Sequence, residues 1–454
     1  MALFGTNGVR GKLDVLTPGL AFDLASSFAS LQKGKELVLA MDMRKTSSMM
    51  HSAAKAGILS AGKDVLDLGL ASSPVSEYFL SKSPACGLII VTASHNAPEW
   101  NALKFVDENG VAISRERGVV IEKMALAKNY SKAGWKTVGK TSACSTATHD
   151  HSSAVLKAVD SEKIRKKNLK IALDFGNGTS VLSKKVFESL GCEIVLLNGK
   201  LDGTFPGRPS EPSEQNVQEL CKEVAKESAD FGVAWDGDSD RVIFVDEKGK
   251  WIVGDKGFAI SAKKACKEDK GKEKFVVTTV ATSRAVEEAC KPFGAKTVYT
   301  KVGAPYLSEK MHELGKKAAS GGEEVGGIIW PGFSIAKDGI FAAAKIAEMV
   351  CDSPLSQLVS ELPIYYNSKC VLKVSPEKKN VVLLAAQNHA KQMKGKITSV
   401  DGVRIDTDGG WAIVRASGTE NAIRIFAEAK TIKASEKLMQ EFKKVAEEEL
   451  SKSP

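Results

Sequence analysis

Apolar residues along the chain gather into short runs bounded by polar turns, and three of these runs begin the same succession of elements. The run in ELVLAMD (Glu36–Asp42) passes through RKTSS into a helical pattern that stops at Gly62, after which DVLDLGL is again strand-like. LKIALDF (Leu169–Phe175) passes through GNGTS and reaches EIVLLNG beyond Gly191, and KFVVTTV (Lys274–Val280) passes through ATSRA and reaches AKTVYT beyond Gly294. A strand, a polar turn, a helix ended by glycine and a second strand make the unit of a parallel sheet, and near-continuous apolar strands mark sheets covered on both faces. The repetition predicts three similar α/β domains with mixed, parallel-rich sheets.

From about Tyr366 the period changes. CVLKV, a helix, strands in ITSVDGVRIDT, GWAIVRAS and AIRIFAEAK, and a final charged helix predict a smaller C-terminal α+β domain. The 454 residues exceed what one core accommodates, since single cores stop growing near roughly 250–300 residues. Boundaries near 152, 253 and 366 give domains 1–152, 153–253, 254–365 and 366–454.

Composition narrows the class. With 43% hydrophobic and 26% charged residues and no apolar run near the ~18–20 that span a bilayer, no membrane association is expected. MALFGTNGVRGKLDV is read as neither a secretory leader nor a transit segment, so the expected address is the cytoplasm. Eight cysteines scattered singly, with no Cys-x-x-Cys pair, are expected to be reduced core residues rather than zinc ligands. The net charge of +9 is spread as lysines among glutamates, as in KKACKEDKGKEK, and aromatics are 6%. That is a solvated face without stacking platforms, so no nucleic-acid partner is expected, only a modest pull on anionic small molecules.

Four stretches carry candidate chemistry. In GLIIVTASHNAPEWNALKF a buried strand delivers Ser94 to a sheet's carboxyl edge, where ligands of open α/β sheets bind. Ser94 is open as a nucleophile, a phosphate carrier or a helix N-cap, and Lys104 adds a point charge suited to phosphate. In VAWDGDSDRVIFVD, Asp236, Asp238 and Asp240 lie between two apolar strands, where three carboxylates repel unless a hard cation such as Mg²⁺ lies among them. An EF-hand is disfavoured, because no bidentate glutamate closes the loop. A haloacid-dehalogenase-type phosphatase, with DSD at its first strand's end, stays as a rival.

In ASGGEEVGGIIWPGF, glycine pairs flank Glu323 and Glu324, leaving carboxylates to accept from neighbouring sugar hydroxyls or a plain flexible connector. In VRASGTENAIRIF, Arg415, Ser417, Thr419 and Arg424 surround a Ser-Gly-Thr turn, a donor-rich nest for phosphate.

Taken in this order the four stretches resemble the α-D-phosphohexomutase family, with LFGTNGVRG and MDMRKTSS similar to two further family segments, over nearly the whole chain. The resemblance implies three α/β domains and a TATA-binding-protein-like C-terminal domain around one central cleft. It implies exchange of a phosphoryl group between the 6- and 1-positions of a hexose, through a phosphoserine and a hexose 1,6-bisphosphate that serves as intermediate and activator. Ser94 would carry the phosphoryl group, with His95, Lys104 and Arg10 as the remaining catalytic group. Asp236, Asp238 and Asp240, with an oxygen of phospho-Ser94, would hold one Mg²⁺ per chain. Arg241 and Glu323 would meet the sugar phosphate, and Arg415, Ser417, Gly418, Thr419 and Arg424 would grip the phosphate that is not reacting.

The chain departs from the family pattern at several positions. Asn96-Ala97 replaces Asn-Pro, with Pro98 one place later, and Asn101-Ala102 replaces Asn-Gly. Val325 stands where serine is common, Gly327 where some members carry histidine, and Ala416, Asn421 and Ala422 where Pro, Pro and Lys are common. The expected reaction is glucosamine 6-phosphate to glucosamine 1-phosphate by a monomer or homodimer, with a phosphomannomutase/phosphoglucomutase as the alternative. A sugar-phosphate phosphatase and a non-catalytic sugar-phosphate binder are the readings from other classes.

Overall fold

The computed structural model describes residues 3–417 and 421–452. Its three N-terminal sheets are built on the strands that the repeat predicts, Glu36–Met41, Lys170–Asp174 and Lys274–Thr279. Each is flanked in parallel by the strand that follows its helix, namely Asp64–Leu70, Glu193–Leu197 and Ala295–Thr300. On the other side each pairs in parallel with Gly87–Val91, Phe231–Trp235 or Ala318–Glu323. An antiparallel neighbour then follows: Asn101–Asp107, Val242–Asp246 or Gly327–Ile329. The sheets are mixed and parallel-rich, with six, five and four strands among the described residues.

This shared order decides where chemistry can sit. The turn between the last parallel strand and its antiparallel neighbour is residues 92–100 in the first sheet, 236–241 in the second and 324–326 in the third. The serine, aspartate and glutamate stretches therefore hold one topological position three times over. Gly87–Val91 and Phe231–Trp235 are buried along their whole length, as parallel strands covered on both faces must be.

The second and third sheets share one apolar core through Trp235, Phe258, Ile340 and Phe341. The helix Gly339–Val350 is buried from end to end and runs through it. Trp235 Nε1 donates to Gly339 O at 2.9 Å, which ties the strand before the aspartates to the start of that helix. The first sheet has its own apolar clusters, around Phe28, Leu103 and Phe105 on one face and Val38, Leu88 and Ile90 on the other.

The C-terminal unit is an antiparallel five-stranded sheet with the helices Lys379–Gln392 and Ile432–Lys452 packed on it. It docks on the third sheet through Arg404, which is 2% exposed and donates to Val280 O at 2.6 Å. The Arg404 guanidinium lies 4.8 Å from the ring of Tyr299 and 4.2 Å from that of Trp411. Arg284 adds bonds to Asp406 Oδ1 and Thr407 O, and its backbone N–H donates to Glu428 Oε1 at 2.9 Å. No helix among the described residues is long and apolar enough to cross a membrane.

Acids accumulate at this junction. Asp255, on the first turn of the helix Gly254–Glu268, accepts from Ser283 N at 3.0 Å, with the charges of Glu324 and Glu428 nearby. Burial first, and then those two charges, push its carboxyl up from 3.8 to about 7. A carboxyl raised in the folded state holds a proton that the unfolded chain releases, so its contribution is largest below 3.8 and is lost as pH rises towards 7. The expected outcome is that Asp255→Asn flattens the fall in thermal midpoint across that window; an unchanged slope would assign the proton elsewhere.

Candidate active site

The serine stretch bends sharply after its strand. Ser94 adopts φ 51°, the left-handed region that a residue with a Cβ enters at a cost, and such strain gathers at functional sites. No helix begins there; the chain continues into the antiparallel strand Asn101–Asp107, so Ser94 caps nothing. Its conformation is held from outside. Arg44, buried, donates to Ser94 O, Asn96 O, Ala97 O and Trp100 O at 2.8, 2.7, 2.6 and 3.1 Å, while its Nε bonds Asp42 at 3.1 Å. One guanidinium thus satisfies four carbonyls of the turn that carries the displaced proline.

The Ser94 hydroxyl donates to Asp236 Oδ2 at 2.6 Å, joining the first and second sheets' turns at one atom. Gly237 makes that approach possible, since a Cβ there would stand 2.7 Å from Ser94 O. Asp236, Asp238 and Asp240 are all at most 5% exposed, and one ligand oxygen from each lies within 4.8 Å of the others. Asp238 Oδ1 and Asp240 Oδ1 are buried without a hydrogen-bond partner. Three clustered carboxylates with uncommitted oxygens fit a hard divalent cation.

The fixed cations around them are lysines. Lys104, across the first sheet's hairpin, reaches Asp238 Oδ2 and lies 3.2 Å from Asp240 Oδ2; Lys337 lies 3.3 Å from Asp240 Oδ2. Burial opposes ionisation of Asp240, but Lys104 and then Lys337 overcome it and hold the carboxyl far below its usual range. Asp236, where burial is joined by repulsion from Asp238 and Asp240, is pushed well above it. Lys104 itself is raised, its two aspartates outweighing the burial that opposes its charge.

His95 lies with Nδ1 3.4 Å from Ser94 Oγ and Nε2 3.7 Å from Glu211 Oε2. Burial, then Arg241 and Arg10, push this imidazole far down, so it is neutral. Arg241 Nη1 donates to both oxygens of Glu211 at 2.8 Å, and Arg10 bonds the Asn96 side chain.

Glu323 ends its strand and accepts from Lys337 Nζ at 2.9 Å, while Glu324 accepts from Thr279 at 3.1 Å. The glutamate turn rests on the aspartate turn through Val242 N, which donates to Gly326 O at 2.9 Å; Gly326, at φ 89°, has no room for a Cβ against Val242 O. On the C-terminal sheet, Arg415 and Arg424 are directly opposed in an antiparallel pair. Like charges so placed destabilise a sheet unless an anion lies between them. Arg415 also donates to Asp401 Oδ2 at 3.1 Å, and that oxygen accepts from Val302 N at 3.1 Å.

These turns line one cleft of about 330 Å³. Its described walls include Arg10, Lys104, Arg241, Lys337, Arg415 and Arg424 against Asp240, Glu323 and Glu324, an excess of cations that suits dianionic phosphates. Ser94, His95 and Ser417 line it too, whereas the expected Gly418 and Thr419 lie outside the described residues. A larger hollow of about 710 Å³, walled by Met311, Trp330, Phe333 and Phe341, contains none of the residues singled out from sequence.

Arg44, Ser73, Glu211, Lys337 and Asp401 were not read from sequence. Ser73 donates to Asp238 Oδ2 at 2.6 Å from the start of the helix Ser73–Lys82. Arg44 lies in the segment MDMRKTSS, which had a family likeness but no role; the others are single polar residues with no motif around them.

Models of the phosphoglucomutase/phosphomannomutase α/β/α domains I, II and III match residues 1–131, 149–249 and 253–366, and the model of that family's C-terminal domain matches 372–445. A phosphoglucomutase/phosphomannomutase of Thermococcus kodakarensis is 37% identical over 458 residues, covering 99% of each chain. A probable phosphoglucosamine mutase of Methanosarcina acetivorans is 35% identical, covering 95% of this chain and 96% of that one. A phosphoglucosamine/phosphogalactosamine mutase of Sulfurisphaera tokodaii is 33% identical, covering 98% and 99%. In fold, the crystal structure of a phosphoglucomutase/phosphomannomutase family protein from Burkholderia thailandensis matches with a TM-score of 0.88 at 23% identity, covering 99% and 97%.

Removing the Arg44 side chain takes the counter-charge from buried Asp42, which keeps only Ser47 Oγ and the residue-44 amide, and leaves Asn96 O and Trp100 O without their donor, while Ser94 O keeps Ser210 Oγ and Ala97 O keeps the Trp100 amide. Arg44→Ala is expected to cost on the order of 3–5 kcal/mol, read as a lower thermal midpoint and faster proteolytic cutting within His95–Trp100. Arg44→Lys fails to restore either, because one ammonium cannot span four acceptors.

Proposed function

The chain belongs to the phosphoglucomutase/phosphomannomutase family and is a phosphohexomutase of the phosphoglucosamine, phosphoglucose or phosphomannose kind; on that premise we propose that it interconverts a hexose 6-phosphate and its 1-phosphate through phospho-Ser94 and a 1,6-bisphosphate. The observation that carries this reading is that Ser94, whose hydroxyl donates to Asp236, lines the same cleft as Arg415 and Arg424 of the C-terminal unit.

A single cleft lined by a phosphoryl carrier on one domain and a pair of arginines on another suits a ligand that bears two phosphates. Phospho-Ser94 donates to the free sugar hydroxyl, the bisphosphate turns over, and its other phosphate returns to Ser94. Arg415, Ser417 and Arg424 grip whichever phosphate is idle, and Glu323 accepts from sugar hydroxyls. Lys104 and Arg10 face the transferring group, where developing charge is best met by fixed cations. His95, with Nδ1 3.4 Å from the serine oxygen, is placed to hydrogen-bond that oxygen and orient it.

Mg²⁺ is the cation we assign to Asp236, Asp238 and Asp240, one per chain, with an oxygen of phospho-Ser94. When bound it neutralises charge on the transferring phosphoryl group. Glucosamine 6-phosphate is the substrate we propose, supported by the names of the relatives from Methanosarcina acetivorans and Sulfurisphaera tokodaii. Glucose and mannose phosphates are the second reading, favoured by the relative from Thermococcus kodakarensis.

Ser94→Ala is expected to lower turnover by on the order of 10³-fold or more and to abolish the mass increment of one phosphate in the intact protein. A panel of glucosamine, glucose and mannose 6-phosphates with trace bisphosphate ranks the sugars. Inorganic phosphate in place of sugar 1-phosphate would make the protein a phosphatase, and a Ser94→Ala protein as active as wild type would end the phosphoserine mechanism. Chelation is expected to stop turnover and added Mg²⁺ to restore it; activity indifferent to chelator would remove the metal assignment.

A further inference from the structure

Gly327 has an ordinary backbone conformation, unlike its neighbour Gly326, so nothing in φ demands glycine. It pairs across the hairpin with Glu323, and cross-strand partners project on one face of a sheet. A side chain at 327 would therefore enter the cleft beside the Glu323 carboxylate. The structure shows what fills that space: a Cβ on Gly327 would lie 2.4 Å from Lys337 Cδ and 3.0 Å from Glu323 Oε1. Glycine at 327 is the room through which the Lys337 stem passes.

Lys337 is fixed at its base. Asp338 N donates to Ile328 O at 3.0 Å, Gly339 N to Ser239 O at 3.2 Å, and Asp338 Oδ1 caps the buried helix Gly339–Val350. The two residues that follow the lysine are thus stapled, one to the glutamate hairpin and one to the aspartate turn. Its ammonium then joins the same two turns, at 2.9 Å from Glu323 Oε1 and 3.3 Å from Asp240 Oδ2, and lines the cleft. A lysine 8% exposed is retained only where paired, and here the pairing unites the glutamate turn and the aspartate turn of one site.

We propose that Lys337 is a positioning residue for sugar recognition, holding the Glu323 carboxylate in register with Asp240, and that Gly327 is its steric counterpart. This rests on the mutase reading of the cleft. In its terms the lysine acts on the sugar through Glu323, so its loss weakens recognition of the hexose more than it slows phosphoryl transfer.

Lys337→Met keeps the stem and removes the charge. It is expected to raise KM for the preferred hexose 6-phosphate at least tenfold while lowering kcat by a smaller factor, with the phosphate increment on Ser94 retained and the thermal midpoint lowered, since Asp240 and Glu323 lose a buried counter-charge. Lys337→Arg recovers part of the KM. Gly327→Ala alone is expected to lose activity by clashing with the lysine, whereas Gly327→Ala in a Lys337→Ala background is no worse than Lys337→Ala. Wild-type turnover with an unchanged KM in Lys337→Met, or an equal loss from Gly327→Ala in both backgrounds, overturns the proposal and leaves the mutase reading standing. A wild-type protein that acquires no phosphate on Ser94 and turns over no hexose phosphate overturns the reading beneath it.

Discussion

Three carboxylates buried within five residues of chain are the constraint around which the molecule is organised. Left to themselves Asp236, Asp238 and Asp240 would take up protons or force the turn apart, and burial raises that cost by removing water. The protein answers with Lys104 from the first sheet and Lys337 from the third, both entering a turn that belongs to the second. The charge balance of one loop thereby ties the three sheets to one another.

The topology makes this meeting economical. Each sheet ends its parallel run and reverses at the same place, so three turns of different chemistry occupy equivalent positions around one space. The strands behind them are buried on both faces and cannot shift without exposing apolar surface. What varies is the turn itself: a strained serine held by an arginine, a glycine-threaded aspartate loop, a short hairpin closed on a glutamate. Variation confined to turns on a common frame is how one domain plan yields three turns of different chemistry around one cleft.

Much of this was legible in the sequence because its signals are local. Gly62, Gly191 and Gly294 punctuate the repeat within a few residues of the strands they separate, and Asp236, Asp238 and Asp240 announce themselves by spacing alone. Ser94 was ambiguous, since a hydroxyl after a strand serves equally as cap or carrier; only the left-handed turn into an antiparallel strand decides against the cap. Arg44 and Lys337 were illegible for the opposite reason. Arg44 earns its role from carbonyls some fifty residues away in sequence, and Lys337 from a carboxylate across a hairpin and another on a different sheet. Nothing local separates such residues from the many solvated lysines and arginines of a basic chain.

Asp401 gives the C-terminal unit a double commitment. One of its oxygens accepts both from Arg415, which faces the cleft, and from the backbone amide of Val302 on the third unit. The grip on a ligand and the seating of the unit that grips are therefore drawn from one electrostatic account. A phosphate that draws Arg415 away from Asp401 loosens the seat by as much as the loosened seat favours the phosphate, because linkage between two sites is reciprocal. Anion binding at Arg415 and the seating of the C-terminal unit are in this way geared to the same carboxylate, a clutch rather than a lid.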